Sequence, residues 1–112
     1  MGNLLLSNDK KYLITQTAKN EIAFISKMNG KVQRKIKLPD ESKENKLNFI
    51  KAEEDHIYLG YENGILYRIN NKNKVEKILF MGNSPLISFN KISDNKFIVS
   101  NLDGRLIQFS FR

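Results

Sequence analysis

The chain has 112 residues, 40% of them hydrophobic, and carries a formal net charge of +7. That length holds one domain, and that apolar fraction is enough for a core, which excludes wholesale disorder. The sequence has no cysteine, which excludes disulfide, iron–sulfur and thiolate-zinc chemistry, and no apolar run approaches the roughly 20 residues that a membrane-crossing helix needs.

In chain order the predicted elements are short strands separated by turn signals. The N-terminus shows no basic segment leading into a long apolar core, so no export signal is expected in this chain. Met1-Gly2 opens like an N-myristoylation site, but Leu6 stands where that motif requires Ser or Thr. A first apolar run, Leu4-Leu5-Leu6, is followed by a polar turn at Asn8-Asp9 and a second run, Leu13-Ile14-Thr15. A turn at Lys19-Asn20 leads to Ile22-Ala23-Phe24-Ile25, and Asn29-Gly30 leads to a charged alternating strand in which Val32, Ile36 and Leu38 share a period with lysines between them. The stretch from Asp40 to Lys46 is the only one with helical character and reads as a loop.

The same series then recurs. Leu47 to Ile50, the turn Glu53-Glu54-Asp55, Ile57-Tyr58-Leu59, the turn Asn63-Gly64, Leu66 to Ile69 and a charged strand with Val75 and Leu79 repeat the first unit. A third round runs through Leu86 to Phe89, Ser93-Asp94-Asn95, Phe97-Ile98-Val99, Asp103-Gly104 and Leu106 to Phe109. From Leu13 to Ile57 is 44 residues and from Ile57 to Phe97 is 40. Asn-Gly and Asp-Gly between apolar runs predict two-residue type I′ hairpins, which need positive φ at both central residues. The structural turn residues are therefore expected at Asn20, Gly30, Asn63, Gly64, Asp103 and Gly104.

Four short strands in about 40–45 residues is the size of a β-propeller blade. The inner strands are apolar on both faces, as face-to-face stacking of blades requires, and the Lys-rich fourth strand suits an exposed edge. The expected fold is all-β: a partial β-propeller of about three antiparallel blades over residues 3–38, 46–80 and 86–112, with the last lacking its outer strand. The whole, residues 1–112, is one partial propeller. An ordinary β-sandwich is the alternative. Because each repeat buries its apolar faces only on neighbours, self-association or pairing with further blades is expected.

The segment Ile57-Tyr58-Leu59-Gly60-Tyr61-Glu62-Asn63-Gly64-Ile65-Leu66-Tyr67-Arg68-Ile69-Asn70, with the turns Asn29-Gly30-Lys31-Val32 and Asn73-Lys74-Val75, resembles the pyrroloquinoline-quinone-type propeller repeat. Arg34 and Lys77 stand where that repeat places Trp, and Ser26 and Asn70 where it places Asp. The closing residues, Ser84 to Ile87, Asn95-Lys96-Phe97 and Asp103 to Leu106, are similar to the last blade of the BamB family of outer-membrane assembly lipoproteins. WD40-type propellers are the second resemblance, with Ile25-Ser26, Ile69-Asn70 and Phe109-Ser110 in the Trp-Asp positions. The resemblance implies a non-catalytic scaffold for protein partners, at the periplasmic face of the outer membrane if the BamB likeness holds and in the cytoplasm otherwise. The alternative it implies is a fragment of a quinone-dependent dehydrogenase.

The residues themselves point away from catalysis. His56 is the only histidine, so an imidazole zinc or copper site lacks its second ligand, and no Gly-x-Ser-x-Gly elbow presents a nucleophile. Glu53-Glu54-Asp55 matches no cation-binding loop spacing and reads as a solvated turn. No cofactor and no metal is expected. Lys31, Arg34, Lys35, Lys37, Lys43, Lys46 and Lys51 form the densest basic stretch, yet the aromatics lie in apolar runs rather than beside it, so nucleic acid is not the expected partner.

Overall fold

The computed structural model of the chain describes residues 4–6, 11–53 and 56–110. The turn at Asn8-Asp9, the pair Glu54-Asp55 and the last two residues lie outside them. The described residues form eleven strands in three antiparallel sheets. The first sheet has the order β1 (Leu4–Leu6), β2 (Tyr12–Gln16), β3 (Glu21–Ser26), β4 (Val32–Lys37). The second runs β5 (Leu47–Glu53), β6 (His56–Tyr61), β7 (Ile65–Ile69), β8 (Val75–Phe80), and the third β9 (Leu86–Ser93), β10 (Lys96–Asn101), β11 (Leu106–Ser110). The helical character of Asp40 to Lys46 is realised only as one 3-10 turn, Asp40–Ser42, inside the connection between the first two sheets.

Every strand pairs with its sequence neighbour, and the first strands of the sheets, β1, β5 and β9, lie against one another in series. This is the stacking that sequence periodicity predicts. Two apolar layers result. Ile14, Ile22, Phe24 and Ile36 of the first sheet meet Ile57, Leu59, Tyr61, Tyr67 and Ile69 of the second. From the other side of the second sheet, Tyr58 and Leu66 meet Leu86, Phe89, Phe97 and Val99 of the third. The middle sheet is buried on both faces because alternate residues of β6 and β7 serve opposite layers.

The repeat extends to the loops. Leu38 N–H donates to Asn20 O at 3.0 Å, and Met81 N–H donates to Gly64 O at 2.9 Å, tying each hairpin turn to the connection that leaves its sheet. Glu62 N–H to Lys46 O and Leu102 N–H to Pro85 O, at 2.8 and 2.9 Å, tie the turns of the second and third sheets to the connection that enters them.

Two expectations need correction. The hairpins are not two-residue type I′ turns. Among the described residues positive φ occurs at Asn20, Gly64 and Gly104 but not at Asn63 or Asp103. The bonds Asn20 N–H to Thr17 O, Gly64 N–H to Tyr61 O and Gly104 N–H to Asn101 O define three-residue loops, each a β-turn followed by one left-handed residue. Asn63 and Asp103 are central turn residues, and Asn63 Oδ1 accepts from the Ile65 N–H at 3.3 Å. Gly30 closes a longer loop, its N–H donating to Ser26 O at 2.8 Å with φ +71.

The second correction concerns the fourth strands, whose apolar residues do not share one face. A register shift in the β3–β4 ladder sets Val32 opposite Ile25 but Ile36 opposite Ile22, so Ile36 is buried while Val32 stays 49% exposed. A similar shift in β7–β8 sends Val75 to the first apolar layer and Leu79 to the second. One extra residue at a bulge reverses the side-chain alternation beyond it.

Candidate functional site

The turns after β2, β6 and β10 and the connections between sheets gather at one end of the molecule, where the best-built polar cluster lies. Ser42 is buried. Its Oγ donates to Pro39 O at 2.7 Å and accepts from Asn20 Nδ2 at 3.3 Å, and Asn20 Nδ2 also reaches Pro39 O. Beside it lie the edge-to-face rings of Tyr61 and Tyr67, with centroids 5.4 Å apart. Both rings are buried, and neither hydroxyl completes a well-formed hydrogen bond, although Ser42 and Glu41 are adjacent. Sequence reading missed this cluster, because Tyr61 and Tyr67 read as ordinary strand residues and Ser42 as a loop residue.

Burial pushes both phenols above their ordinary range, and the Glu41 carboxylate pushes Tyr67 further. These groups hold their protons at neutral pH. A folded-state pKa above the unfolded value of 10.0 contributes stability that is whole below pH 10.0 and is lost as pH rises through the folded value. The chain is therefore expected to unfold in alkali above pH 10, with phenolate absorbance from Tyr61 and Tyr67 appearing together with loss of the sheet signal in circular dichroism. Ionisation of both near pH 10 with intact sheets would contradict the burial described.

The two positions where the quinone-type repeat places Trp are used for bridging by charge instead. Arg34 lies over the Phe24 ring, 3.9 Å from its centroid, and its Nη1 donates to Asn73 Oδ1 of the second sheet at 2.7 Å. Lys77 reaches back from the second sheet to Glu41 at 3.0 Å. The basic stretch is divided accordingly. Arg34 is engaged between sheets and Lys51 donates to Asn90 Oδ1 of the third sheet at 3.2 Å, while Lys31, Lys35, Lys37 and Lys43 are exposed. Truncating Arg34 to Ala is expected to cost about 1–2 kcal/mol through the lost hydrogen bond and ring contact, read as a lower urea midpoint.

His56 begins β6, half-buried, with its ring centroid 6.5 Å from that of Tyr58. Among the described residues no three His, Asp or Glu side chains cluster within reach of a metal ion. No helix there is long and apolar enough to cross a membrane. Large apolar side chains do reach solvent, and four of them belong to the third sheet or its turn: Ile87 at 53%, Ile92 at 52%, Leu102 at 67% and Leu106 at 66% exposure.

No family model matches the chain, and no curated protein does. Solved structures match in fold. A catalytically inactive variant of virginiamycin B lyase from Staphylococcus aureus, solved with quinupristin, superposes with a TM-score of 0.72 at 14% identity over 98% of this chain and 41% of the lyase. The extracellular domain of the putative one component system BT4673 from B. thetaiotaomicron gives a TM-score of 0.66 at 16% identity, covering 96% of this chain and 13% of that one. Both are β-propeller-type folds. This chain folds as a partial β-propeller. It spans 41% of the lyase's length, and its three sheets do not close into a ring. The computationally designed Ika4 protein matches with a TM-score of 0.53 at 10% identity, over 98% of this chain and 90% of the design.

Proposed function

We propose that this partial propeller is a non-catalytic scaffold for protein–protein interaction. The observation that carries the reading is the concentration of exposed apolar side chains on the third sheet and its turn, Ile87, Ile92, Leu102 and Leu106, on a framework whose other apolar residues are mostly sequestered between sheets. Exposed apolar patches on a rigid scaffold mark surfaces that bind other proteins. The proposed unit is residues 1–112 as one partial propeller with blades over 3–38, 46–80 and 86–112. In its finer form the role lies in outer-membrane protein assembly, supported by the likeness of Ser84 to Ile87 and Asp103 to Leu106 to the closing blade of the BamB family. The likeness to the lyase extends to the fold alone, so its activity is not carried over.

Two measurements test the reading. Sedimentation of the purified chain is expected to show concentration-dependent association that the variant Ile87→Lys, Leu102→Lys, Leu106→Lys suppresses without loss of strand signal. A monomer indifferent to these substitutions at about 100 μM would overturn the proposal, since concentrations of that order populate even weak contacts. Calorimetric titration with pyrroloquinoline quinone and calcium is expected to give no binding heat, and tight binding would favour the dehydrogenase alternative instead.

A further inference from the structure

Where the first two sheets stack, their fourth strands leave a cleft between them. β4 and the connection after it form one wall, the turn into β8 forms the other, and the space is about 570 Å³. Ile36, Leu38 and Val75 give it an apolar lining, and Arg34, Lys35 and Lys37 line it along β4. We propose that this cleft binds an extended acidic segment of a partner polypeptide, with one carboxylate held by Arg34. The surface is separate from the apolar one on the third sheet, so the inference goes beyond the scaffold reading to a second contact of defined chemistry.

Charge supplies the first reason. Residues 31–37 and 72–77 together hold seven Lys and Arg side chains and a single carboxylate, Glu76. Glu76 is already occupied by Arg68 at 2.8 Å, and Glu41 nearby is occupied by Lys77 at 3.0 Å. Lys35, Lys37, Lys72 and Lys74 are exposed, and among the described residues none of them has a carboxylate within ion-pair distance. A concave surface lined by one sign of charge focuses its field and draws in the opposite sign. Asp40 is the one acidic residue of the lining and stands at the other end of the run from Arg34, so the acidic residues of the segment belong at the Arg34 end.

Arg34 supplies the second. Its guanidinium is fixed over the Phe24 ring at 3.9 Å and by the 2.7 Å bond to Asn73 Oδ1, a neutral partner. That bond engages one N–H of five, and the fork left over matches a carboxylate. Because the side chain is already held in place, little further ordering is needed on binding. The backbone adds a third reason. Leu38 N–H donates to Asn20 O, so alternation along the ladder turns the N–H and C=O of Lys35 and Lys37 away from β3, where an extended segment can pair with them. Lysines on such an edge discourage pairing with a like edge, and two copies at +7 each repel, so a second copy is not the occupant. Nucleic acid has the charge but finds no stacking platform: none of the lining residues is aromatic, and Arg34 lies over Phe24.

The test uses the full chain and an end-capped, fluorescently labelled peptide of alternating Glu and Val, about six residues long. Saturable binding is expected, with amide chemical-shift changes centred on Arg34, Lys35, Lys37 and Asn73 and an affinity that falls as salt rises. Replacing every Glu of the peptide by Gln is expected to weaken binding about tenfold or more. Arg34→Lys, which keeps the charge and loses the planar fork, is expected to weaken it about tenfold. Lys96→Gln, which removes a charge from the third sheet, is expected to change it by less than about twofold. The reverse order overturns the proposal, since net charge alone would then explain the attraction. So does equal binding of the Gln peptide, or tighter binding of a single-stranded DNA oligonucleotide at the same residues, which assigns the cleft to nucleic acid. If Arg34→Lys misfolds, the contrast between the Glu and Gln peptides and the map of shifts still decide. If the Glu peptide fails to bind while the three-lysine variant still suppresses association, the cleft proposal falls and the scaffold reading stands.

Discussion

Gly64→Ala is expected to cost about 3–5 kcal/mol and to leave the chain marginally folded, because three penalties coincide at one residue. Gly64 has φ +87, a conformation that an L side chain adopts at a cost of about 1–2 kcal/mol. A Cβ there would overlap the carbonyl oxygen of Gly82, and since that atom is backbone the connection itself must move. Moving it strains the bond from Met81 N–H to Gly64 O, one of the ties between turn and connection. Gly30 has φ +71, and a Cβ on it would meet no atom within 4 Å, so this position isolates the conformational part. Gly30→Ala is accordingly expected to cost only about 1–2 kcal/mol. Urea unfolding of both variants gives the comparison. Equal losses would mean that the approach of the Gly82 carbonyl is not as close as described.

The second large effect is expected from Phe97→Ala, at about 3–5 kcal/mol. Phe97 is buried between the second and third sheets, stacked with Phe89 at 5.3 Å and Phe109 at 5.7 Å between centroids and in contact with Tyr58 at 5.6 Å. Removing a buried ring from this stack opens a cavity, so a cavity term adds to the lost burial. Sheets that contact only their neighbours divide stability into local and interface terms. Hydrogen exchange is therefore expected to quicken first across β9 to β11, with the ladder between β6 and β7 retaining its protection. Uniform loss of protection over all three sheets would show a single cooperative unit rather than a stack.

The Gly64 contrast also marks how far the residues spoke for themselves. Gly64 and Asn63 announced a turn, and the turn is there, but as a three-residue loop with one left-handed position, because Asn-Gly and Asp-Gly suit a type I turn followed by a left-handed glycine as well as a type I′ turn. Tyr58 beside Leu59 announced a strand buried on both faces, and the two layers confirm it. The bulges that separate Val32 from Ile36 and Val75 from Leu79 left no sign in the alternation, because the extra residue in each is an ordinary polar or aliphatic one.

The three-fold recurrence, the strands and the apolar double-sidedness of the inner ones were legible in the residues alone, because period-two burial and turn chemistry are local and act residue by residue. The side chains that bridge the sheets emerge only in three dimensions: Arg34 against Asn73, Lys77 against Glu41, and Tyr61 and Tyr67 beside Ser42. Those contacts join residues from different sheets or from the connection between them. Their partners are set by stacking and by bulge-shifted register, which depend on the whole assembly rather than on any single segment.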